Sequence, residues 1–549
     1  MVNEQYKLWC EKATIDADLV AELKSIEGNN EAISDAFYKD LEFGTGGLRG
    51  VMGAGANRMN RYTIGKATQG LADYLNNTVD GEKSVAVAYD SRNNSKAFAE
   101  VTAGVLAANG IKVLLFETLM PTPVLSFSVR YHKCSAGVVV TASHNPKEYN
   151  GYKVYDDNGC QLVPDVANKV IAYVNAVEDL QAIECMELAE AQSKGLVTMI
   201  GEQTLAAFIA EVKKQSLYEE KSDLKIVYTP LHGTGNIPVR TVLSDMNVSI
   251  VSAQELPDGD FSTVRSPNPE EKDALTLALE QAKAEDADLV LGTDPDCDRV
   301  GIGVKHNGAF TLMTGNQVGA LLINFILEMK KGTFNEKSTI VKTIVTSELG
   351  ANIAKSHGLN VVETLTGFKY IGEQICLYEQ SGKSEYVFGY EESYGYLAGT
   401  HARDKDAVVA SMLICQMAAY YMNQGKTLID VLNDIYAKHG FYLDLLDTFV
   451  LKGKSGAQRI GELMEIFRSK GASLVDGVAE IKDYAPGIDG LPKENVLKYI
   501  FNDGSWMAMR PSGTEPKLKI YFSIRGESEK LARERYQGIR NILEAIINE

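Results

Sequence analysis

Cysteine is sparse and unpatterned in this sequence. Seven are scattered at positions 10, 134, 160, 185, 297, 376 and 415 of 549 residues, an odd number with no CxxC pair. This excludes a disulfide-stapled scaffold and a zinc ribbon, and a reducing, cytoplasmic setting is expected. Long apolar runs are also missing. The longest, 407–422, is interrupted by Ser411 and Gln416. It falls short of the roughly 18 apolar residues of a spanning helix, so it reads as a buried helix and no membrane partner is expected. The first twelve residues carry charges of both signs and no apolar run, unlike a signal peptide. Positive charge is in deficit: 55 Lys and Arg face 73 Asp and Glu, for a net charge of −18. That sign argues against nonspecific binding of nucleic acid or of an anionic membrane. A local basic pocket for a phosphorylated small molecule stays open. Low-complexity segments and long linkers are absent. With 45% hydrophobic residues the chain can bury a large core, and its length suggests roughly three to four domains.

The most informative stretch is Gly137-Val138-Val139-Val140-Thr141-Ala142-Ser143-His144-Asn145-Pro146. A continuous apolar run is the mark of a buried parallel strand, and ligands of open α/β sheets sit where such strands end. Ser143 thus stands where a nucleophile or a phosphate would be. A polar loop without chemistry is the plainer alternative. Around it, 4–26 and 30–40 have helical spacing. Strands are expected at 84–89 and 112–116, with helices at 96–109, ending before Gly110, and 122–131. Asn150-Gly151 and Asn158-Gly159 read as tight turns, making 152–156 a hairpin strand that returns Lys153 beside the serine loop.

The grammar then repeats. A strand at 224–228 enters Thr229-Pro230-Leu231-His232-Gly233-Thr234-Gly235, and Asn268-Pro269-Glu270-Glu271 reads as the start of a helix running to about 284. A strand at 288–293 enters Asp294-Pro295-Asp296-Cys297-Asp298-Arg299. A third unit has a helix at 316–330 and strands at 339–343, 360–363 and 386–389, entering loops around Ser347, 364–369 and 390–393. After about 440 the pattern becomes α+β, with helices at 456–470 and 528–547 and strands near 447–452, 478–482 and 518–524. Alternation of strands and helices points to mainly parallel sheets. The expected fold is α/β: three related doubly wound domains (1–205, 206–314, 315–442) and a smaller C-terminal α+β domain (443–549).

Asp294-x-Asp296-x-Asp298 is the strongest chemical signal. Carboxylates suit a hard cation such as Mg²⁺. Alternate residues of a straight strand lie about 6.6 Å apart, so the loop must curl for three carboxylates to share an ion. An EF-hand is ruled out, since Arg299 replaces its glycine and Lys305 its final Glu. A solvated acidic loop is the alternative. One metal site, one serine and several anion loops suggest phosphoryl transfer, which needs positioning and charge neutralisation. Phe43-Gly44-Thr45-Gly46-Gly47-Leu48-Arg49-Gly50 reads as an anion-holding turn or a plain one. Arg49 and Arg299 are candidates to neutralise transferring oxygens. Lys153 qualifies as general acid or base only if burial or positive charge depresses its pKa; otherwise it is a surface lysine. Arg510-x-Ser512-Gly513-Thr514 suits a phosphate dianion, and Tyr390-Glu391-Glu392-Ser393 suits sugar hydroxyls or simply begins a helix. His401 and Lys405, in a charged turn, are phosphate-binding candidates.

Six motifs in order, FGTGGLRG at 43–50, TASHNP at 141–146, NGYKVY at 150–155, DPDCDRV at 294–300, GYEES at 389–393 and RPSGTEP at 510–516, make the chain resemble the α-D-phosphohexomutase family over nearly its whole length. The resemblance implies four domains giving one loop each to a central cleft. It implies a phosphorylated Ser143, with Mg²⁺ held by Asp294, Asp296, Asp298 and a phosphoserine oxygen. Arg49, His144, Lys153 and Arg299 would lie near the transferred group. Glu391 and Ser393 would contact the sugar, and Arg510, Ser512, Gly513 and Thr514 the non-reacting phosphate. Thr366, Gly367, His401 and Lys405 join the expected substrate contacts. The stretch 401–406 and Tyr394-Gly395 after Ser393 resemble the glucose-specific branch. A phosphoglucomutase working through glucose 1,6-bisphosphate is therefore expected, with phosphomannomutase and phosphopentomutase chemistries as alternatives, a hydrolase using the same serine and metal, or a non-catalytic sugar-phosphate binder, as remote ones. The expected partner is a small phosphosugar, in a monomer or dimer.

Overall fold

The computed structural model describes residues 2–44, 46–179, 182–451, 453–512 and 517–549. They form two compact units: Met1–Met313 with Phe368–Gly382 and Gly395–Asn423, and Thr314–Gly367 with Lys383–Tyr394 and Gln424–Glu549.

The first unit holds two sheets. One is built from β1 (Gly47–Val51), β2 (Ser84–Tyr89), β3 (Lys112–Phe116), β4 (Ala136–Val140), β5 (Tyr149–Tyr155) and β6 (Val197–Ile200), in the order β1-β5-β4-β2-β3-β6. β4, β2, β3 and β6 are parallel, and β5 and β1 are antiparallel additions. The other contains β7 (Lys225–Thr229), β8 (Asn247–Ile250), β9 (Leu289–Thr293), β10 (Val300–His306) and β11 (Ala309–Met313), ordered β11-β10-β9-β7-β8. Again the parallel part, β9-β7-β8, is flanked by antiparallel strands. Every residue of β4 and of β9 is buried, which is why both read as unbroken apolar runs. Burying each Val of β4 contributes about 2 kcal/mol. In both sheets the buried strand ends in a polar loop, and the next strand returns beside it. The sheets are therefore mixed rather than mainly parallel.

Three local expectations are corrected. Asn150-Gly151 is not a turn but lies inside β5. Gly151 pairs with Arg49 of β1, and a Cβ there would lie 2.4 Å from the Thr141 carbonyl oxygen, so the glycine serves close strand approach. Asn150 Nδ2 meanwhile donates to Asn93 O and Ser95 Oγ. Asn268 caps only a turn, accepting from the Glu270 N–H. A short 3-10 turn, Lys272–Leu275, precedes the helix Thr276–Ala284, and the Glu270 side chain pairs with Arg299. Residues 4–26 form two helices, Val2–Lys12 and Ala17–Ser25, the second capped by Asp16.

In the second unit, β12 (Ser338–Thr343), β13 (Asn360–Thr364) and β14 (Glu385–Glu391) run parallel in the order β13-β12-β14. Its C-terminal portion is an antiparallel sheet in the order Phe441–Val450, Lys517–Gly526, Trp506–Pro511, Leu497–Phe501 and Val478–Asp483. The helices Gly453–Lys470 and Glu529–Asn548 complete this portion, and their Leu463, Phe467, Ile539 and Leu543 join its core. Two strands here, 497–501 and 506–511, went unread in the sequence. Arg510 and Pro511 end a strand rather than opening a loop.

Candidate active site

Ser143 sits two residues past Thr141 at the end of β4, with φ +53° and almost no exposure. This left-handed backbone is unusual for serine and is held from several sides. Thr141 Oγ1 accepts from the Ser143 N–H at 2.8 Å and donates to Asp90 at 2.6 Å. The buried Arg92 guanidinium donates to the carbonyls of Ser143, Asn145, Pro146 and Tyr149, and pairs with Asp90 at 3.3 Å. One arginine thus fixes the course of the whole serine loop.

The Asp loop curls as its spacing requires. Asp294 Oδ1 accepts from the N–H groups of Asp298 and Arg299, and Cys297 adopts φ +53° at the apex. Oxygens of Asp294, Asp296 and Asp298, all buried, come within 4.8 Å of one another. Ser143 Oγ donates to Asp294 Oδ2 at 2.7 Å, joining the two loops. Asp296 Oδ2 accepts from Lys153 Nζ and from Thr122 Oγ1, each at 2.8 Å, and Asp298 Oδ2 lies 3.1 Å from Lys405 Nζ. Asp296 Oδ1 and Asp298 Oδ1 are buried without a hydrogen-bond partner. Burial of unpaired carboxylate oxygens is costly, and an oxygen-seeking cation would relieve it. The donor set fits such an ion.

Electrostatics follow from this crowding. Burial and the repulsion of its two neighbours push the Asp294 carboxyl well above the usual range. Burial acts the same way on Asp296, but the Lys153 ammonium outweighs it and holds that carboxyl far down. For Lys153, burial lowers the pKa, yet Asp296 and Asp298 overcome it and the net direction is up. The condition of a depressed pKa is therefore not met: Lys153 stands here as an ammonium, a hydrogen-bond donor. Burial, Arg299 and Arg49 drive His144 well below 6.5. Its ring is thus neutral at pH 7, with Nδ1 3.2 Å from Ser143 Oγ.

The remaining candidates divide by unit. In the first, Arg49 is exposed on β1 and reaches Asn145 Oδ1 at 3.3 Å, while Arg299 pairs with Glu270. His401 is buried, with Nε2 2.7 Å from Asp406 and its ring edge-on to Phe208. In the second, Glu391 Oε1 accepts from the Gly367 N–H at 2.9 Å, so the loop after β13 and the end of β14 meet. Thr366 Oγ1 is buried there without a hydrogen-bond partner. Ser393 is half-buried. Arg510 Nε lies 3.5 Å from Glu494, and the Ser512 N–H donates to Lys517 O. Gly513 and Thr514 lie outside the described residues.

Sequence reasoning missed Arg92 and Thr122. An Asp-x-Arg placed directly after a buried strand was a usable signal for the first. Nothing local marks Thr122, whose partner is 174 residues away.

Family models descend the chain in register with this architecture. Phosphoglucomutase/phosphomannomutase α/β/α domains I, II and III match residues 40–181, 206–308 and 314–439, and the C-terminal domain matches 465–537. The chain belongs to this phosphohexomutase family, and its fold is three α/β domains with a C-terminal fourth. Among curated relatives, phosphoglucomutase of Staphylococcus epidermidis is 38% identical over 527 residues, covering 93% of this chain and 95% of that one. The Staphylococcus haemolyticus phosphoglucomutase is 39% identical, covering 92% and 94%. In fold, the chain is similar to the open form of the Paramecium phosphoglucomutase pp63/parafusin (TM-score 0.70, 18% identity, covering 93% and 95%). A putative phosphomannomutase from Thermus thermophilus gives 0.68 at 23% identity, covering 92% and 99%.

Proposed function

We propose that the chain interconverts α-D-glucose 1-phosphate and glucose 6-phosphate through a phosphorylated Ser143 and glucose 1,6-bisphosphate. The observation that carries this reading is Ser143 Oγ hydrogen-bonded at 2.7 Å to one of three clustered, buried aspartates. The near-full-length phosphoglucomutase relatives support glucose as the sugar.

Phosphorylated Ser143 gives its phosphoryl group to the 6-hydroxyl of glucose 1-phosphate; the P–Oγ bond breaks as the bond to the sugar oxygen forms, and the proton lost by that hydroxyl is balanced by one gained at the freed Ser143 Oγ. The resulting bisphosphate turns over, Ser143 takes the 1-phosphoryl group, and glucose 6-phosphate leaves. Mg²⁺, held by Asp294, Asp296, Asp298 and a phosphoserine oxygen, would supply Lewis-acid neutralisation of the phosphoryl charge. A related fold, the Aspergillus fumigatus N-acetylphosphoglucosamine mutase, was solved with GlcNAc-6P and magnesium. Arg49 and Arg299 neutralise the equatorial oxygens. Lys153, as an ammonium, donates to the oxygen gaining charge, and neutral His144 is free to accept a proton beside Oγ. Glu391 and Ser393 hold sugar hydroxyls, with Thr366 and Gly367 beside them. Arg510, Ser512, Gly513 and Thr514 hold the non-reacting phosphate, with Lys405 and His401 as further anion contacts. Domains at 1–205, 206–314, 315–442 and 443–549 and a cytoplasmic setting belong to the same reading. In support, all seven cysteines are free and no described helix is long and apolar enough to cross a membrane.

The test is conversion of glucose 1-phosphate with Mg²⁺ and a trace of glucose 1,6-bisphosphate, alongside mannose, ribose and glucosamine phosphates. Glucose turnover that falls at least about 1,000-fold in Ser143→Ala is expected. Preference for another sugar would move the specificity and keep the chemistry. Full activity in Ser143→Ala would end the phosphoserine reading.

A further inference from the structure

Asp296 and Asp298 of the curled loop each have Oδ2 tied and Oδ1 left without a hydrogen-bond partner, whereas both oxygens of Asp294 are tied, and the ties come from different parts of the chain. The backbone is fixed in the same way. The Pro295 carbonyl accepts from both the N–H and the hydroxyl of Thr234, the Asp296 carbonyl from the Thr122 N–H at 2.8 Å, and the Cys297 carbonyl from the Ala407 N–H. Three consecutive carbonyls are thus held by three separate segments. Thr122 differs from the other two holders. It opens the helix Thr122–Tyr131 and grips Asp296 twice, once at the carbonyl and once at the carboxylate Oδ2. It is fully buried. Lys153 shares Oδ2, so that oxygen is saturated, whereas Oδ1 of the same carboxylate is buried with no partner.

We propose that Thr122 is a positioning residue for ion binding: its hydroxyl fixes the rotation of the Asp296 carboxylate so that Oδ1, and not Oδ2, is presented to the divalent cation. This rests on the reading of the three aspartates as the metal site. Outer partners of a carboxylate ligand commonly set metal affinity by 10- to 100-fold. Without the hydroxyl, the carboxylate rotates between Lys153 and the ion, and binding must first freeze that rotation. The backbone N–H of residue 122 survives any substitution other than proline, so the loop's course is kept while its side-chain tie is cut.

The experiment is titration of the full chain with Mn²⁺, followed by electron paramagnetic resonance of the free ion, without sugar phosphate. Thr122→Val, which keeps the shape and loses the donor, is expected to raise the dissociation constant about 10- to 100-fold. Thr122→Ser is expected to restore wild-type affinity. Turnover of Thr122→Val should approach the wild-type kcat once the ion is raised to saturation, a recovery that a damaged fold would not show. If the valine methyl is not tolerated against the carboxylate and the protein unfolds, Thr122→Ala gives the same readout. Wild-type affinity in the folded valine or alanine variant, with ion binding intact in the parent, would overturn the positioning role alone. Failure of the parent itself to bind Mn²⁺ would overturn the metal reading and this inference with it.

Discussion

The loop at 294–298, a candidate cation site, and the strand end at 510–512, a candidate phosphate site, are built in opposite ways. The first is enclosed: its three aspartates are essentially without exposure, and the carbonyls of 295, 296 and 297 are each held by a different segment. The second projects from an edge of regular structure. Arg510 keeps a quarter of its side-chain surface, and its Nε lies 3.5 Å from Glu494 Oε1. Groups that must meet a reacting centre within tenths of an ångström are locked by partners that leave no rotamer freedom. A group that captures a phosphate can keep its solvent contact and supply charge and donors when the ligand arrives. On the proposed function, the enclosed loop would set rate and the open strand end affinity.

Breaking the enclosed side should have the largest effect. Arg92→Met removes the donor to four carbonyls of the serine loop and leaves Asp90 buried without its ion pair. Loss of one partner from a buried pair costs about 3–5 kcal/mol, read as a lower urea midpoint. Displacement of Ser143 is expected to lower kcat about 100-fold. Wild-type kcat in this variant would mean that the serine loop holds its shape without the arginine.

Cutting into the open side should have a smaller and different effect. Arg510→Ala should raise KM for the sugar phosphate roughly 30-fold, as expected for loss of a charge-assisted contact, while phosphorylation of Ser143 is unchanged. Equal falls in kcat and kcat/KM would place Arg510 with the rate-setting groups and erase the contrast.

The third prediction asks whether buried charge in the second unit belongs to catalysis or to the frame. Lys342 donates to Glu348 and Glu363, and Lys498 lies 3.5 Å from Glu363 and over the Trp506 ring. Burial, with Lys342 reinforcing it against the pull of Glu363, pushes Lys498 down to about 8 from 10.5. Between those values the unfolded chain binds the extra proton, so stability contributed by this site rises as pH increases from 8 to 10.5 and is constant below 8. The total is about 3 kcal/mol. Lys498→Met should flatten that rise in urea titrations and leave kcat at pH 7 unchanged. The same slope in both proteins would show that Lys498 does not titrate in this window.

The central strands were legible because β4 and β9 are buried on both faces and so are written as unbroken apolar runs. The loops after them were legible for the complementary reason: Ser143-His144-Asn145 and the Asp triplet are polar groups exactly where a buried strand must surface. Pairings across distance were not. The pKa of Lys153 is decided by carboxylates 143 and 145 residues away, which no window of sequence contains. Asn150-Gly151 misled because the dipeptide that favours a turn equally suits a strand squeezed between two others. The segments 497–501 and 506–511 were passed over because Lys498 interrupts one and Met507-Ala508-Met509 carries no β-branched residue.

Gly47, at φ +115°, opens β1 opposite Lys153, and a Cβ there would fall 1.8 Å from the Tyr152 carbonyl oxygen. Two residues on, Arg49 faces Gly151 of the same partner strand. The arginine and the lysine thus sit on neighbouring strands that meet without room for a side chain, and β5 is held on its other side by β4. A side chain at position 47 would push the two strands apart and so disturb the arginine and the lysine together.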